Sequence, residues 1–173
     1  GLNHRKAGAS MAKYLLDRGY RKFGYLGVDL KLDKAAARRL QGLQSTLRSA
    51  QSKILTKLTV PTPSGIGLGR HNMERLLEQA PDLEVVYFSD DAVAAGALMY
   101  CMAHGIDVPS ELAIASFSGL ELAAAMPITL TTIRSPRYEI GRSSVNLILD
   151  RIEGRATPQK TDLGFELVSG DST

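Results

Sequence analysis

Residues 85–100 read VVYFSDDAVAAGALMY. Four apolar residues, β-branched and aromatic, run straight into two adjacent acids and then into an alanine-rich stretch. The apolar run, extended to 83–89 and bounded by Pro81 and Asp82, has the composition of a fully buried strand; 91–104, closed by Gly105, has that of a helix. A buried strand feeding directly into a helix is the repeating unit of a parallel sheet covered on both faces. In such sheets ligands bind beyond the carboxyl ends of the strands, where Asp90 and Asp91 stand. The expected division of labour is that Asp90 faces a cleft and accepts hydrogen bonds from a ligand, while Asp91 turns back to cap the helix.

The same alternation continues in both directions. Apolar residues at helical spacing mark 4–18, stopped by Gly19, and KFGYLGV (22–28) reads as a strand. Residues 33–50 read as a helix capped by Asp33, 54–60 as a strand ended by Pro61 and Pro63, 64–69 as a loop and 70–80 as a helix. A fourth strand is expected at 112–117, an extended segment at 130–135, a helix at 137–154 and a last strand at 161–168. The fold class is α/β: a parallel sheet flanked by helices, with an end after residue 130 that has no evident partner strand.

Composition narrows the function. With 173 residues, 44% of them hydrophobic, the chain can bury a sizeable core. The net charge of +3 is spread out; its densest cluster, Lys31, Lys34, Arg38 and Arg39, reads as a solvated helix face rather than a nucleic-acid stripe. Cys101, the one cysteine, lies in an apolar helical pattern, so no internal disulfide forms and a reducing compartment is expected. No apolar run is long enough to cross a bilayer, and the polar opening GLNHRKAG is no signal peptide. His4, His71 and His104 lack metal-ligand spacing, and no metal is expected. The glycines of GIGLG (65–69) miss the dinucleotide fingerprint, and SFSG (116–119) lacks the first glycine of a serine elbow. No catalytic set emerges, so the expectation is a protein that is not an enzyme and uses no cofactor.

Five stretches carry a resemblance. NHRKAG (3–8), LLDRGYRKFGYLG (15–27), SDDAVAAGAL (89–98), GIDVPSELAIASF (105–117) and LTTIRSP (130–136) occur in the order and spacing of the LacI/GalR (lactose/galactose-repressor) family of bacterial regulators. LDKAAARRLQGL (32–43) and the end TDLGFELVSGDST (161–173) resemble its gluconate-utilisation branch most. The resemblance implies a periplasmic-binding-protein-like fold, with 1–134 as the C-terminal lobe of an effector-binding domain and 135–173 returning to a second lobe that is mostly absent. It further implies a DNA-binding helix-turn-helix outside this chain, a cytoplasmic homodimer, operator DNA as partner, and no membrane association. The effector would be a small sugar or sugar acid held between the lobes, shifting their arrangement and the affinity for DNA. The alternative is a periplasmic sugar-binding protein of a transporter.

The resemblance also nominates residues. Arg39, in ARRLQG, matches a ligand-binding arginine whose guanidinium fork suits a carboxylate or a pair of hydroxyls; Arg38 beside it is expected to face elsewhere. Asp90 replaces the family's asparagine, a carboxylate that repels an acidic ligand unless Arg39 or a water offsets it; Ser118 replaces an aspartate, and losing that carboxylate favours an anionic ligand. Ser64 matches a lid position, Ser135 follows the crossover strand, and Asn3 lies at the hinge.

Overall fold

The computed structural model describes residues 1–61 and 63–173. Among these, six helices and six strands alternate in the order α1 (His4–Asp17), β1 (Lys22–Val28), α2 (Lys34–Ser49), β2 (Lys53–Val60), α3 (Ile66–Gln79), β3 (Val85–Phe88), α4 (Asp91–His104), β4 (Ala113–Ser118), α5 (Glu121–Ala125), β5 (Thr131–Arg134), α6 (Arg137–Ile152) and β6 (Glu166–Val168). The strands form one sheet in the order β2-β1-β3-β4-β5-β6. The first five are parallel, and β6 runs antiparallel to β5.

Alternation of side chains across the pleat builds two cores. Phe23, Tyr25, Val85, Tyr87, Ala113, Ala115, Phe117 and Ile133 pack under α1 and α2. Leu26, Val28, Val86, Phe88 and Ile114 pack under α3 and α4 on the other face. β3 is buried at every residue, as its uninterrupted apolar sequence requires. Cys101 lies in the second core, and burial pushes its thiol up to about 11, so it packs as an inert hydrophobe.

Each helix pair is locked by reciprocal glycines. A Cβ at Gly8 would sit 1.8 Å from the carbonyl oxygen of Arg39, and one at Gly42 would sit 1.9 Å from that of Arg5. The α3/α4 pair repeats the device, with Gly69 against Val93 and Gly96 against Ile66, both at 1.8 Å. This explains one departure from the sequence reading. The stretch 64–69 is not a loop throughout: α3 begins at Ile66, and Gly69 is a helical residue selected for close approach rather than for a turn.

Two further departures concern the end of the chain. α5, which has no pattern of its own, follows β4. The segment 135–173 does not leave the sheet as one piece: β6 pairs with β5, the Ser172 hydroxyl donates to the Ile114 carbonyl at 2.6 Å, and it accepts from the Thr131 amide at 2.9 Å. The final residues therefore belong to the sheet, and the strand expected over 161–168 shortens to three residues. The part that stands apart is α6, which has no buried residue and exposes Tyr138, Val145, Ile148, Leu149 and Ile152.

Replacing Gly96 by alanine is expected to destabilise the fold. Alanine favours helix by about 1 kcal/mol, but forcing a methyl against a backbone carbonyl costs roughly 1–3 kcal/mol or more. Thermal melting of Gly96→Ala should show a lower midpoint; an unchanged or higher one contradicts the packing described.

Candidate functional site

The amino-terminal ends of α1, α2, α3 and α4 meet at the carboxyl edge of the sheet. Three are capped by side chains: Asn3 accepts from the Lys6 amide at 3.0 Å, Asp33 from the Ala36 amide at 2.8 Å, and Asp90 from the Ala92 and Val93 amides at 3.0 and 3.1 Å. α3 has no side-chain cap. Four helix starts facing one place give it a positive field.

At the centre lies Arg39, on α2, only 5% exposed. Its guanidinium carbon stacks 3.9 Å from the centre of the Phe117 ring. One terminal nitrogen donates to the Ser89 carbonyl at 3.0 Å and the other contacts His4 Nδ1 at 3.3 Å. The nearest carboxylate is Asp33, 3.8 Å away and itself occupied as a cap. Arg39 Nε is buried and makes no well-formed hydrogen bond among the described residues, although the equally buried Tyr87 hydroxyl lies close enough to the guanidinium to feel its charge. This is a guanidinium held out of water without the close bidentate carboxylate that ordinarily compensates one. Arg38 is exposed, as expected of its place on the helix.

The cap expected of Asp91 is supplied by Asp90. Asp90, in extended conformation at φ −161°, is the N-cap of α4, while Asp91 is its first helical residue. Asp91 is fully buried and caps nothing. It accepts from the hydroxyls of Ser116 and Thr132 and from the Leu120 amide, all at 2.6 Å. It thereby ties α4 to β4, β5 and the turn after β4. Burial raises its carboxyl above the ordinary value of 3.8, and Asp90 nearby adds to this, against the lowering effect of the three hydrogen bonds. Capping engages only one oxygen of Asp90. The other accepts from the hydroxyls of Ser64 and Ser89, and so stays at the mouth.

The turn held by Asp91 contains Ser118, whose φ of 129° is rare for a residue with a side chain. Its carbonyl accepts from the Ser135 amide at 3.1 Å and from Arg137 at 3.0 Å, and the Gly119 amide donates to Thr132 at 3.3 Å. The nominated residues thus fall into two connected groups: Arg39, Asp90 and exposed Ser64 on one side, Ser118 and Ser135 on the other, linked by Phe117, which stacks on Arg39 and precedes Ser118 in the chain. Exposed Asn3 spends its side chain on capping α1. His4, Ser89 and Phe117 complete the centre and were not singled out by sequence. Phe117 shares strand parity with Ala113 and Ala115, and so faces α1 and α2. Beside the mouth, Val28, Leu32, Asp33, Pro61, Pro63 and Ser64 line a hollow with an apolar wall. A second cavity, between α5 and β6, is lined by one charged residue, Arg134, already paired with Glu166 at 2.8 Å.

A model described as "periplasmic binding protein-like domain" matches residues 12–173. The HTH-type transcriptional regulator GntR of Pseudomonas aeruginosa is 33% identical over 179 residues, covering 100% of this chain and 50% of that protein. The chain belongs to the LacI/GalR family of regulators. The HTH-type transcriptional repressor MelR of Bacillus subtilis is also 33% identical, over 97% of this chain and 50% of the repressor. The crystal structure of the transcription regulator GntR from Chromobacterium violaceum superposes with a TM-score of 0.94 at 34% identity, covering 99% of this chain and 64% of that one. The chain spans about half the length of the curated relatives it matches, and corresponds to their effector-binding domain.

Losing Asp91 should destabilise the family fold more than losing Asp90. Asp91→Ala leaves up to three buried donors without a partner, at roughly 1–3 kcal/mol each, whereas a lost cap costs about 0.5–2 kcal/mol. Urea unfolding of both variants measures this, and a larger loss for Asp90→Ala contradicts it. The pH dependence has a definite sign. The folded chain holds the Asp91 proton more tightly than the unfolded one, so its contribution falls as pH rises from 3.8 through the raised value. Asp91→Asn should remove that fall.

Proposed function

We propose that this chain is the effector-binding part of a transcriptional repressor and that the effector is a small sugar acid. The observation that carries this is Arg39: a buried guanidinium over an aromatic face, with an unpartnered Nε and only a long, 3.8 Å ion pair to Asp33. An anionic oxygen pair supplies what that group lacks. The hydroxyls of the same ligand suit the outer oxygen of Asp90, which already accepts from the hydroxyls of Ser64 and Ser89, with Ser118 and Ser135 as further contacts across the turn. The aspartate at 90 is compatible with an acid because its charge is already met by the α4 amides and two hydroxyls. Gluconate is the first ligand to try. Relatives named as transcriptional regulators and repressors support this reading over a transporter's binding protein.

The mechanism is a shift of population. The ligand bridges the lobe described above and a second lobe to which α6 connects, and so favours one arrangement of the two. DNA affinity changes through a helix-turn-helix elsewhere in the protein, in the cytoplasm, without chemical change to the ligand. Operator binding of this kind goes with a two-fold homodimer. Of the apolar bulk on α4, Leu98 is buried in the core, but Met99 and Met102 are 39% and 51% exposed, and they are the proposed contribution of this lobe to the dimer.

Calorimetric titration of the full-length protein with D-gluconate should show Arg39→Ala binding roughly ten- to a hundredfold more weakly, the effect of losing a charge-assisted hydrogen bond, and Arg38→Ala binding like wild type. Equal curves for wild type and Arg39→Ala remove the arginine from the site. Light scattering should give a dimer for wild type and a larger monomer fraction for Met102→Glu; a wild-type monomer that still binds operator contradicts the assembly.

A further inference from the structure

His4 opens α1 immediately after the Asn3 cap and is half-buried against α2 and β4. Its ring lies 5.9 Å from that of Phe117, tilted by 52°, so His4 and Arg39 flank the same aromatic face. The contact between Arg39 Nη1 and His4 Nδ1, at 3.3 Å, settles the tautomer. A guanidinium has donors only, so Nδ1 must be the acceptor, and the imidazole is neutral with its proton on Nε2. Protonating Nδ1 breaks this hydrogen bond and sets two cations side by side. An anion seated on both removes that conflict, because it accepts from each.

The charges around His4 point the same way. Burial lowers its tendency to take a proton, and Arg39 lowers it further; Asp33, from the start of α2, opposes them, and Arg38 adds a smaller lowering contribution. From β4 the packed residue is Phe117, which carries no charge. Burial and Arg39 therefore favour the neutral imidazole, and a negative charge placed beside it favours the protonated one.

We propose that His4 is a specificity-determining residue of this site, taking up a proton when an anionic ligand seats on Arg39, so that the site selects a sugar carboxylate over the neutral polyol of the same carbon chain. The proposal rests on the reading of Arg39 as an anion site. It predicts linkage: an anion binds more tightly as the pH falls through the range in which His4 titrates, and a neutral polyol does not.

Calorimetry on the full-length protein with D-gluconate and D-glucitol, at about pH 5.5 and about pH 7.5, tests this. Gluconate should bind roughly three- to tenfold more tightly at the lower pH, with net proton uptake revealed by comparing buffers of different ionisation enthalpy. His4→Gln, whose amide oxygen can still accept from Arg39, should bind gluconate with the same affinity at both pH values and without proton uptake. Gluconate binding that ignores pH in wild type, or pH dependence that persists in His4→Gln, overturns the proposal and leaves the sugar-acid reading intact. Gluconate failing to bind at either pH overturns both. NMR titration of the His4 imidazole in ligand-free protein is a separate check: it should titrate below the ordinary 6.5 and move up in Arg39→Gln. A midpoint that ignores Arg39→Gln also overturns the proposal.

Discussion

An arginine enclosed at the carboxyl edge of a parallel sheet must be held by something, and most of this site can be understood as what holds Arg39. Phe117 supplies the stacking face, the Ser89 carbonyl and His4 take its terminal nitrogens, and Asp33 forms a long ion pair with it at 3.8 Å. Each of these comes from a different element, so the guanidinium is positioned only when α1, α2, β3 and β4 are all in register. The glycine contact between Gly8 and the Arg39 backbone brings α1 and α2 close enough for His4 to reach. The same arrangement leaves Nε without a hydrogen-bond partner among the described residues, which is the ground for the proposed anion site.

A second constraint keeps the opposite wall in place. Asp91 gathers donors from Ser116, Thr132 and Leu120, and so fixes the turn in which Ser118 adopts its unusual backbone. One wall of the site is thus set by a buried cation and the other by a buried acid. Neither charge is paired with the other, and both lie by the carboxyl ends of β3 and β4, where a doubly covered sheet places its ligands.

Much of this was legible in the sequence because the relevant signals are local. The apolar run 85–88 followed by helix, and the repeat of that alternation, define the parallel sheet; ARRLQG points to Arg39 through family likeness. The cap was assigned to Asp91 rather than Asp90 although the decisive signal was present: a helix starting at 91 makes 90 its N-cap, since the cap is the last residue before helical geometry begins. What no local pattern shows is partners far apart in the chain, which is why the donors to Asp91 were missed. Gly69 misled for a related reason, because a helical glycine chosen to let another backbone approach looks in sequence like a loop glycine. His4 and Phe117 went unnoticed because each matters only through its contact with Arg39, thirty-five and seventy-eight positions away by their numbering. The pairing of β6 with β5 likewise depends on a return after the whole of α6.

The central claim is that the Arg39 guanidinium is the anchor for a ligand's negative charge. A crystal structure of the full-length protein with D-gluconate measures it most directly. The account predicts the carboxylate within about 3 Å of Arg39 nitrogen atoms, with ligand hydroxyls on Asp90. A carboxylate bound elsewhere, with Arg39 still turned only to Ser89 and His4, would contradict it.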